Sequence, residues 1–283
     1  HHLVKELLDM NPTIKIVDIG SDLRLKNPAL YEEWYGYTHG APELLSNSIY
    51  GLTELYTDEI KNTQLVANPG CYPTATILAF APLIKYGLID TSNIIVNALS
   101  GVSGAGRTLG RGYHFPECNE NMRAYSLLCH RHIPEIEQEF TQIAKQGGYN
   151  KAVSINFTPH LVPLNRGILV TGYADFKFDQ KRDNPFGVDL GTSSGLIELY
   201  KNFYKEKEFI RILPLNRIPE TKAVTGSNYC DIGVRIDKRT GKVLVMSVID
   251  NLMKGASGQA VQNMNLMFGK PENIGLNSAP IWP

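Results

Sequence analysis

Two hydrophobic patterns divide the chain. In the first third, the β-rich runs TIKIVDIG (13–20), TQLVANPG (63–70) and NIIVNALSG (93–101) are each closed by glycine. An apolar stretch over 74–86, followed by Gly87, separates the last two runs. Strand, helix and strand at this spacing predict an α/β arrangement in which 74–86 is a buried helix.

The second half of the sequence has a different pattern. YCDIGVRID (229–237) and KVLVMSVID (242–250) flank a short polar loop and predict an antiparallel hairpin. VSINFTPHL (153–161) and GILVTGYADF (167–176) predict two further strands. Apolar spacing and helix-start signals predict helices over 134–145, 193–205 and 256–268. The sequence therefore predicts a doubly wound α/β part joined to an α+β part with a largely antiparallel sheet.

Composition narrows the class of protein. The chain has 283 residues, and its 28 Lys and Arg residues are balanced by 28 Asp and Glu residues. No net charge therefore attracts nucleic acid or an anionic membrane. No apolar stretch reaches the ~18 residues that span a bilayer, and four cysteines are too few for a disulfide framework. We expect a reduced, soluble, cytoplasmic protein that binds neither nucleic acid nor membrane.

The stretch ANPGCYPTATILAF (67–80) contains the strongest candidate for chemistry, Cys71. Pro69-Gly70 predicts a tight turn, and Pro73 suits the first turn of a helix. A sulfur at the positive end of a buried helix is expected to have a lowered pKa, as a nucleophile of acyl chemistry requires. The alternative is a small buried residue where two elements join.

A general base for this cysteine is available in LLCHRHIPEIEQEF (127–140). His130 and His132 lie just before the helix that Pro134 is expected to start. Both rings could instead cap or pack locally. The segment lacks the paired spacing of a zinc site, so we predict no metal.

A third candidate is the glycine-rich segment SGVSGAGRTLGRG (100–112), which directly follows an apolar run. Small residues leaving a strand can form a nest of N–H groups that binds a polar or anionic ligand. The segment is neither a P-loop nor G-x-G-x-x-G, so a flexible loop is the alternative.

Taken together, these segments resemble the N-acetyl-γ-glutamyl-phosphate reductase family, which is related to the aspartate-semialdehyde dehydrogenases. The matching motifs span nearly the whole chain and, in chain order, are DIGSDLRL, WYG, YGLTEL, ANPGCYPTA, SGVSGAGR, HFPECNEN, HRHIPEIEQ, FTPHLVPLNRGI and DNLMKGASGQAVQNMN.

The resemblance implies NADPH-dependent reduction of N-acetyl-γ-glutamyl phosphate to the semialdehyde and phosphate, in arginine biosynthesis. It implies that Cys71 forms a thioester and that His130, ranked above His132, is the acid/base. Arg24 matches the position that holds phosphate in related dehydrogenases. The further substrate-binding candidates are Ser100, Arg107, Glu135, His160 and Arg166. The cofactor-binding candidates, for NADP, are Ser103, Gly104, Asn251, Lys254, Gly255 and Gly258.

The resemblance also implies a Rossmann-type dinucleotide-binding domain, but its glycine-rich fingerprint is missing from the start of this sequence. We therefore expect the chain to begin midway through that domain. Residues 1–70 and 251–283 are predicted to be its remainder, and 71–250 the catalytic and dimerisation domain. The family forms homodimers and homotetramers, so we expect one of these.

Three other functions stay open from the sequence. A reductase of the same family could act on a longer, aminoadipate-type acyl phosphate in lysine biosynthesis. A Cys-His hydrolase or acyltransferase would need a third group to orient the base, but no nicotinamide. A non-catalytic binding protein would explain the missing phosphate loop, although it leaves the cysteine and histidine unexplained.

Overall fold

Two β-sheets contain the named strands of the computed structural model, which describes residues 1–177 and 186–281. The smaller sheet has the strand order β1-β3-β2, and both strand pairs are parallel. Its strands are β1 (Ile16–Asp18), β2 (Ile49–Tyr50) and β3 (Leu65–Ala67). The helices around it are α1 (His2–Met10), α2 (Pro28–Tyr35), α3 (Glu43–Asn47) and α4 (Thr53–Lys61).

The larger sheet has the order β5-β6-β4-β7-β10-β9-β8. Its strands are β4 (Ile94–Ser100), β5 (Arg123–Ala124), β6 (Ile155–Leu161), β7 (Ile168–Asp175), β8 (Ile210–Ile212), β9 (Cys230–Asp237) and β10 (Lys242–Ile249). The pairs β4–β6 and β8–β9 are parallel and the other pairs are antiparallel. The predicted combination of an α/β part with a largely antiparallel α+β part is confirmed.

Five further helices complete the described fold. They are α5 (Cys71–Lys85), α6 (Phe115–Cys118), α7 (His132–Gln146), α8 (Ser193–Phe203) and α9 (Gly258–Met267), with a π-helical turn at Met253–Ser257 just before α9. The helices predicted over 74–86, 134–145, 193–205 and 256–268 are thus present, with ends shifted by a few residues. The hairpin is present as β9 and β10, paired from Cys230 with Ile249 to Asp237 with Lys242.

Helix α5 lies at the centre of the main core. Every residue from Tyr72 to Ile84 is buried, because the helix is enclosed by strands β7 and β10 and by helices α7 and α8. The backbone at Gly172 gives room to the Phe80 ring, which would lie 2.4 Å from a β-carbon built on that glycine. A uniformly apolar sequence therefore predicted the burial of this helix correctly.

Helix α2 is marked mainly by the residues at its two ends. Asn27 caps the helix by accepting from the Ala29 N–H, and Pro28 occupies its first turn. The helix ends at Gly36, which adopts a left-handed φ of 79°. Because one face of the helix is polar, its apolar periodicity is weak, and only these terminal residues indicate a helix in the sequence.

The path of the chain links the two sheets twice. The segment after β3 leads directly into α5 on the larger sheet, and α9 returns from β10 to contact α4 and β1. The domain boundaries predicted at 70/71 and 250/251 stay a prediction. Within the described ranges, no helix is long and apolar enough to cross a membrane.

Candidate active site

Cys71 is the first residue of α5, directly after the buried segment 68–70. Gly70 is the N-cap with an extended backbone, and the hydroxyl of Thr74 donates to its carbonyl over 2.9 Å. The thiol is half-buried against the main core. This is the position at the N-terminus of a buried helix that the sequence predicted.

The Glu135 carboxylate, in the first turn of α7, anchors the segment that precedes the cysteine. One oxygen accepts from the Gly70 N–H and from the Tyr50 hydroxyl, each over 2.8 Å. The other lies 3.4 Å from the Arg24 guanidinium, whose Nε donates to the Asn68 carbonyl over 2.8 Å. Glu135 therefore holds residues 68–70 in place, and its contacts inside the protein already occupy both oxygens.

His132 lies beside Gly70, the residue that precedes Cys71. A β-carbon built on Gly70 would be 2.5 Å from Nε2 of His132 and 2.9 Å from Nη1 of Arg24. Glycine is thus required at position 70 because the two side chains approach its backbone closely. The buried Nδ1 of His132 has no hydrogen-bond partner among the described residues.

The His130 ring is surrounded by aromatic side chains and by the His132 ring. Its ring centroid lies 5.5 Å from those of Tyr72 and Phe157, 5.6 Å from that of Tyr125 and 4.8 Å from that of His132. Its Nδ1 accepts from the His132 backbone N–H over 3.1 Å. His130 therefore accepts the first N–H of α7 and helps to position His132, which the sequence had ranked second.

Burial decides the protonation of these groups. It raises the pKa of the Cys71 thiol to about 11 and outweighs the opposing effects of the Tyr72 N–H and of Arg24. The expectation of a lowered cysteine pKa is therefore wrong. Burial lowers the pKa of His130 to about 4, and burial with the charges of His130 and Arg24 holds that of His132 well below its usual value. The thiol and both imidazoles are therefore uncharged at neutral pH.

The turn before α9 contacts the cysteine directly. A β-carbon on Gly255 would lie 2.8 Å from the Cys71 β-carbon, so this glycine packs against Cys71. The neighbouring Lys254 points elsewhere: its ammonium is fully buried and lies 2.5 Å from the Glu54 carboxylate. The ammonium is thus already paired inside the protein, and the role of Lys254 as a cofactor ligand stays a prediction.

Two other predicted cofactor residues also have contacts inside the protein. The Asn251 amide accepts from the Gly167 N–H over 2.7 Å and donates to the Ser103 hydroxyl over 3.0 Å. A β-carbon on Gly258 would meet the Asn228 side chain at 2.3 Å. Asn251 thus fixes the glycine-rich turn, and Gly258 serves helix packing.

The glycine-rich turn lies next to the end of β4. A β-carbon on the exposed Gly104 would be 2.9 Å from the Ser100 hydroxyl. The Gly101 N–H donates to the Gly167 carbonyl, which brings the neighbouring Arg166 close to this turn. The Arg166 guanidinium lies 3.4 Å from the Asp250 carboxylate. Ser100, Ser103, Gly104 and Arg166 therefore lie close together, and their roles toward substrate and cofactor stay predictions.

Two predicted substrate ligands are not brought to this cluster. His160 pairs with Leu99 in the register of β6 and β4, and alternate residues point to opposite faces. Its side chain is therefore on the opposite face from Phe157, which belongs to the main core with α5. Arg107 is exposed in the loop after the glycine-rich turn.

Sequence reasoning missed Asn68 and Tyr50, which help to hold the segment before the cysteine. Asn68 lies between β3 and the Pro-Gly turn, where a buried amide could have been suspected. Tyr50 carries no local signal, because its partner Glu135 is 85 positions away. Among the described residues, no three His, Cys, Asp or Glu side chains are grouped to hold a metal ion.

Comparison with known proteins gives consistent matches. Residues 71–251 match the family model described as semialdehyde dehydrogenase, dimerisation domain. The N-acetyl-gamma-glutamyl-phosphate reductase of Symbiobacterium thermophilum is 50% identical over 271 residues, which cover 95% of this chain and 73% of that protein.

Two solved structures share the fold at low sequence identity. The aspartate semialdehyde dehydrogenase of Francisella tularensis is 14% identical, with a TM-score of 0.63 over 94% of this chain and 78% of that chain. The Candida albicans enzyme of the same name, solved with NADP, is also 14% identical, with a TM-score of 0.51 over 80% of this chain and 67% of that chain.

The raised thiol pKa predicts how Cys71 reacts with iodoacetamide. Only the thiolate reacts, so the Cys71 alkylation rate should rise about tenfold per pH unit between roughly pH 7 and 10. Mass spectrometry of the Cys71 peptide at each pH gives the rate, and the exposed Cys129 in the same sample is the reference. A rate that levels off below about pH 8 would contradict the assignment.

Proposed function

The chain belongs to the N-acetyl-gamma-glutamyl-phosphate reductase family, and we propose that the protein reduces N-acetyl-γ-glutamyl phosphate to N-acetyl-glutamate semialdehyde and phosphate, with NADPH as reductant. The observation that carries this proposal is the placement of Cys71 at the start of a buried helix, with His132 and Arg24 at the residue before it. The reaction would serve arginine biosynthesis in the cytoplasm.

In the first step, the Cys71 sulfur attacks the acyl carbon of the substrate. A carbon–sulfur bond forms, the bond from that carbon to the phosphate oxygen breaks, and phosphate leaves. Because the pKa of the thiol is raised to about 11, the attack needs a proton acceptor at neutral pH. We assign this role to His132, whose neutral ring presents Nε2 to Gly70, in preference to His130.

Arg24 contributes charge and rigidity. Its Nε, Nη1 and Nη2 contact the Asn68 carbonyl, the Glu135 carboxylate and the Ile19 carbonyl. A guanidinium held this firmly acts as a fixed positive charge near the departing phosphate, without reorganising during the reaction. The proposed role of Arg24 therefore differs from that of a free bidentate phosphate clamp.

NADPH, when bound, supplies the hydride that reduces the thioester. Gly104 and Gly255 bring the backbone close to Ser100 and to Cys71, since a β-carbon on either glycine would lie less than 3.0 Å from that neighbour. We propose Ser103, Gly104 and Gly255 as contacts to the cofactor. When the reduced adduct collapses, the carbon–sulfur bond breaks, the aldehyde forms, and His132 returns its proton to the sulfur.

The proposed assembly is a homodimer or homotetramer formed through the larger sheet. One face of that sheet packs on α5, whereas Ile95 and Tyr173 on the other face are each 37% exposed. The matched family model is described as a dimerisation domain. Both observations support association through the open face.

A hydrolase using the same cysteine and histidine is less well supported. Such an enzyme needs a third group that orients the imidazole. In the described part of the chain, the Nδ1 of His132 bonds to no such group.

The direct test measures NADPH formation in the reverse direction. We expect the full-length protein to reduce NADP⁺ when given N-acetyl-glutamate semialdehyde and phosphate, and to stop when either is omitted. Cys71→Ser should abolish turnover because an alcohol is a far weaker nucleophile than a thiolate. Cys129→Ser, which changes an exposed cysteine, is the matched control. Turnover only with the longer aminoadipate-type semialdehyde would redirect the proposal, and an active Cys71→Ser protein would refute the nucleophile.

The two histidines can be separated by the same substitution at each position. His132→Asn should lower kcat by about 10²–10⁴-fold, the usual contribution of a positioned acid/base. His130→Asn should cost less, since an asparagine oxygen can still accept from the His132 N–H. Steady-state assays of both variants decide. A greater loss from His130→Asn would return the acid/base role to His130.

A further inference from the structure

A fully buried ion pair links three separate elements near the site. The Lys254 ammonium lies 2.5 Å from Oε1 of Glu54 and 2.7 Å from Oε1 of Gln262. The two charged side chains are 0% and 1% exposed. Lys254 is in the π-helical turn, Glu54 in the first turn of α4 and Gln262 in α9.

The pKa of the Glu54 carboxyl lies below its usual value in spite of its burial. Burial raises the pKa of Glu54, but the charge and hydrogen bond of Lys254 outweigh it and hold that pKa below its usual value. A buried ion pair adds little to stability compared with apolar side chains of the same shape. Positioning of the turn that carries Lys254 therefore explains the pair better than stability does.

The turn that carries Lys254 contacts the nucleophile on one side and its leading segment on the other. Gly255 packs on Cys71, at 2.8 Å between a β-carbon built on the glycine and the cysteine β-carbon. The next carbonyl, of Ala256, accepts from the Asn68 side chain over 3.2 Å. A displacement of Lys254 would thus be transmitted to the thiol through one peptide unit.

We propose that Lys254 is a positioning residue, which by pairing with Glu54 holds Gly255 against Cys71 and keeps the thiol in register with the reacting carbon. The catalytic part of this proposal rests on the function proposed above. Because Glu54 belongs to a helix beside the smaller sheet, the pair also makes the position of the nucleophile depend on that part of the molecule.

The test removes both charges at once. Lys254→Met alone would leave a buried unpaired carboxylate, which destabilises proteins strongly. The variant with Glu54→Gln and Lys254→Met leaves no charge behind, and its folding is checked by its melting temperature. The matched control, Arg211→Met with Asp231→Asn, removes another ion pair, the one that joins β8 and β9 at 2.5 Å.

We expect two effects in opposite directions for the Glu54/Lys254 variant of the full-length protein. Its kcat should fall by about 10²-fold, as a small misplacement of a reacting group produces, while KM for NADP changes by less than about threefold. Alkylation of Cys71 by iodoacetamide at pH 8 should become faster, by about tenfold, because the thiol is less buried. The control variant should keep the wild-type values of all three.

Other results would overturn the proposal. A folded variant with unchanged kcat and alkylation rate would show that the pair does not position the thiol. A KM for NADP raised about tenfold or more at constant kcat would make Lys254 a cofactor ligand. If the double variant does not fold, Gly255→Ala tests the same contact, and wild-type alkylation and kcat there would refute it. The alkylation measurement needs no substrate, so it stands even if the proposed reaction fails.

Discussion

The site depends on the hydrogen bonds and the ion pair of the buried Glu135 carboxylate. This carboxylate accepts hydrogen bonds from the Gly70 N–H and the Tyr50 hydroxyl, and it pairs with the Arg24 guanidinium. These three groups come from three distant parts of the chain. Charge-assisted hydrogen bonds of this kind are strong and directional in a buried setting. Because Gly70 immediately precedes Cys71, the carboxylate sets where α5 begins and therefore where the sulfur lies.

Burial also sets the protonation of Cys71 and His132. The same exclusion of water that strengthens the Glu135 contacts disfavours both a thiolate at Cys71 and an imidazolium at His132. Both groups are therefore uncharged at rest, and in the proposed reaction charge develops only as the sulfur attacks. Arg24 is already fixed nearby, so stabilisation of the developing negative charge needs no rearrangement.

The sequence predicted elements well where the signal is local. Thirteen consecutive buried residues of α5 appear as a mostly apolar run, and the β9–β10 hairpin appears as two β-rich segments around a polar loop. Cys71 was identified because its setting, a Pro-Gly turn followed by a buried helix, is written in neighbouring residues. Short helices such as α2 were missed because their polar face hides the apolar period.

The contact partners of a residue were harder to predict than its place in the fold. Lys254 was assigned to the cofactor, but its carboxylate partner is 200 positions away in the sequence, where no local pattern reveals it. Glu135 was assigned to the substrate for the same reason. The choice between His130 and His132 depends on the approach of two elements at Gly70, a property of packing that the His-Arg-His motif does not contain.

The central claim is that the Cys71 sulfur carries the acyl group during the reaction. The most direct measurement is intact-protein and peptide mass spectrometry after mixing the full-length protein with N-acetyl-γ-glutamyl phosphate in the absence of NADPH. We predict one N-acetyl-glutamyl group on Cys71, released by hydroxylamine as a thioester is. Substrate consumed without such an adduct, or an adduct on another residue, would contradict the claim.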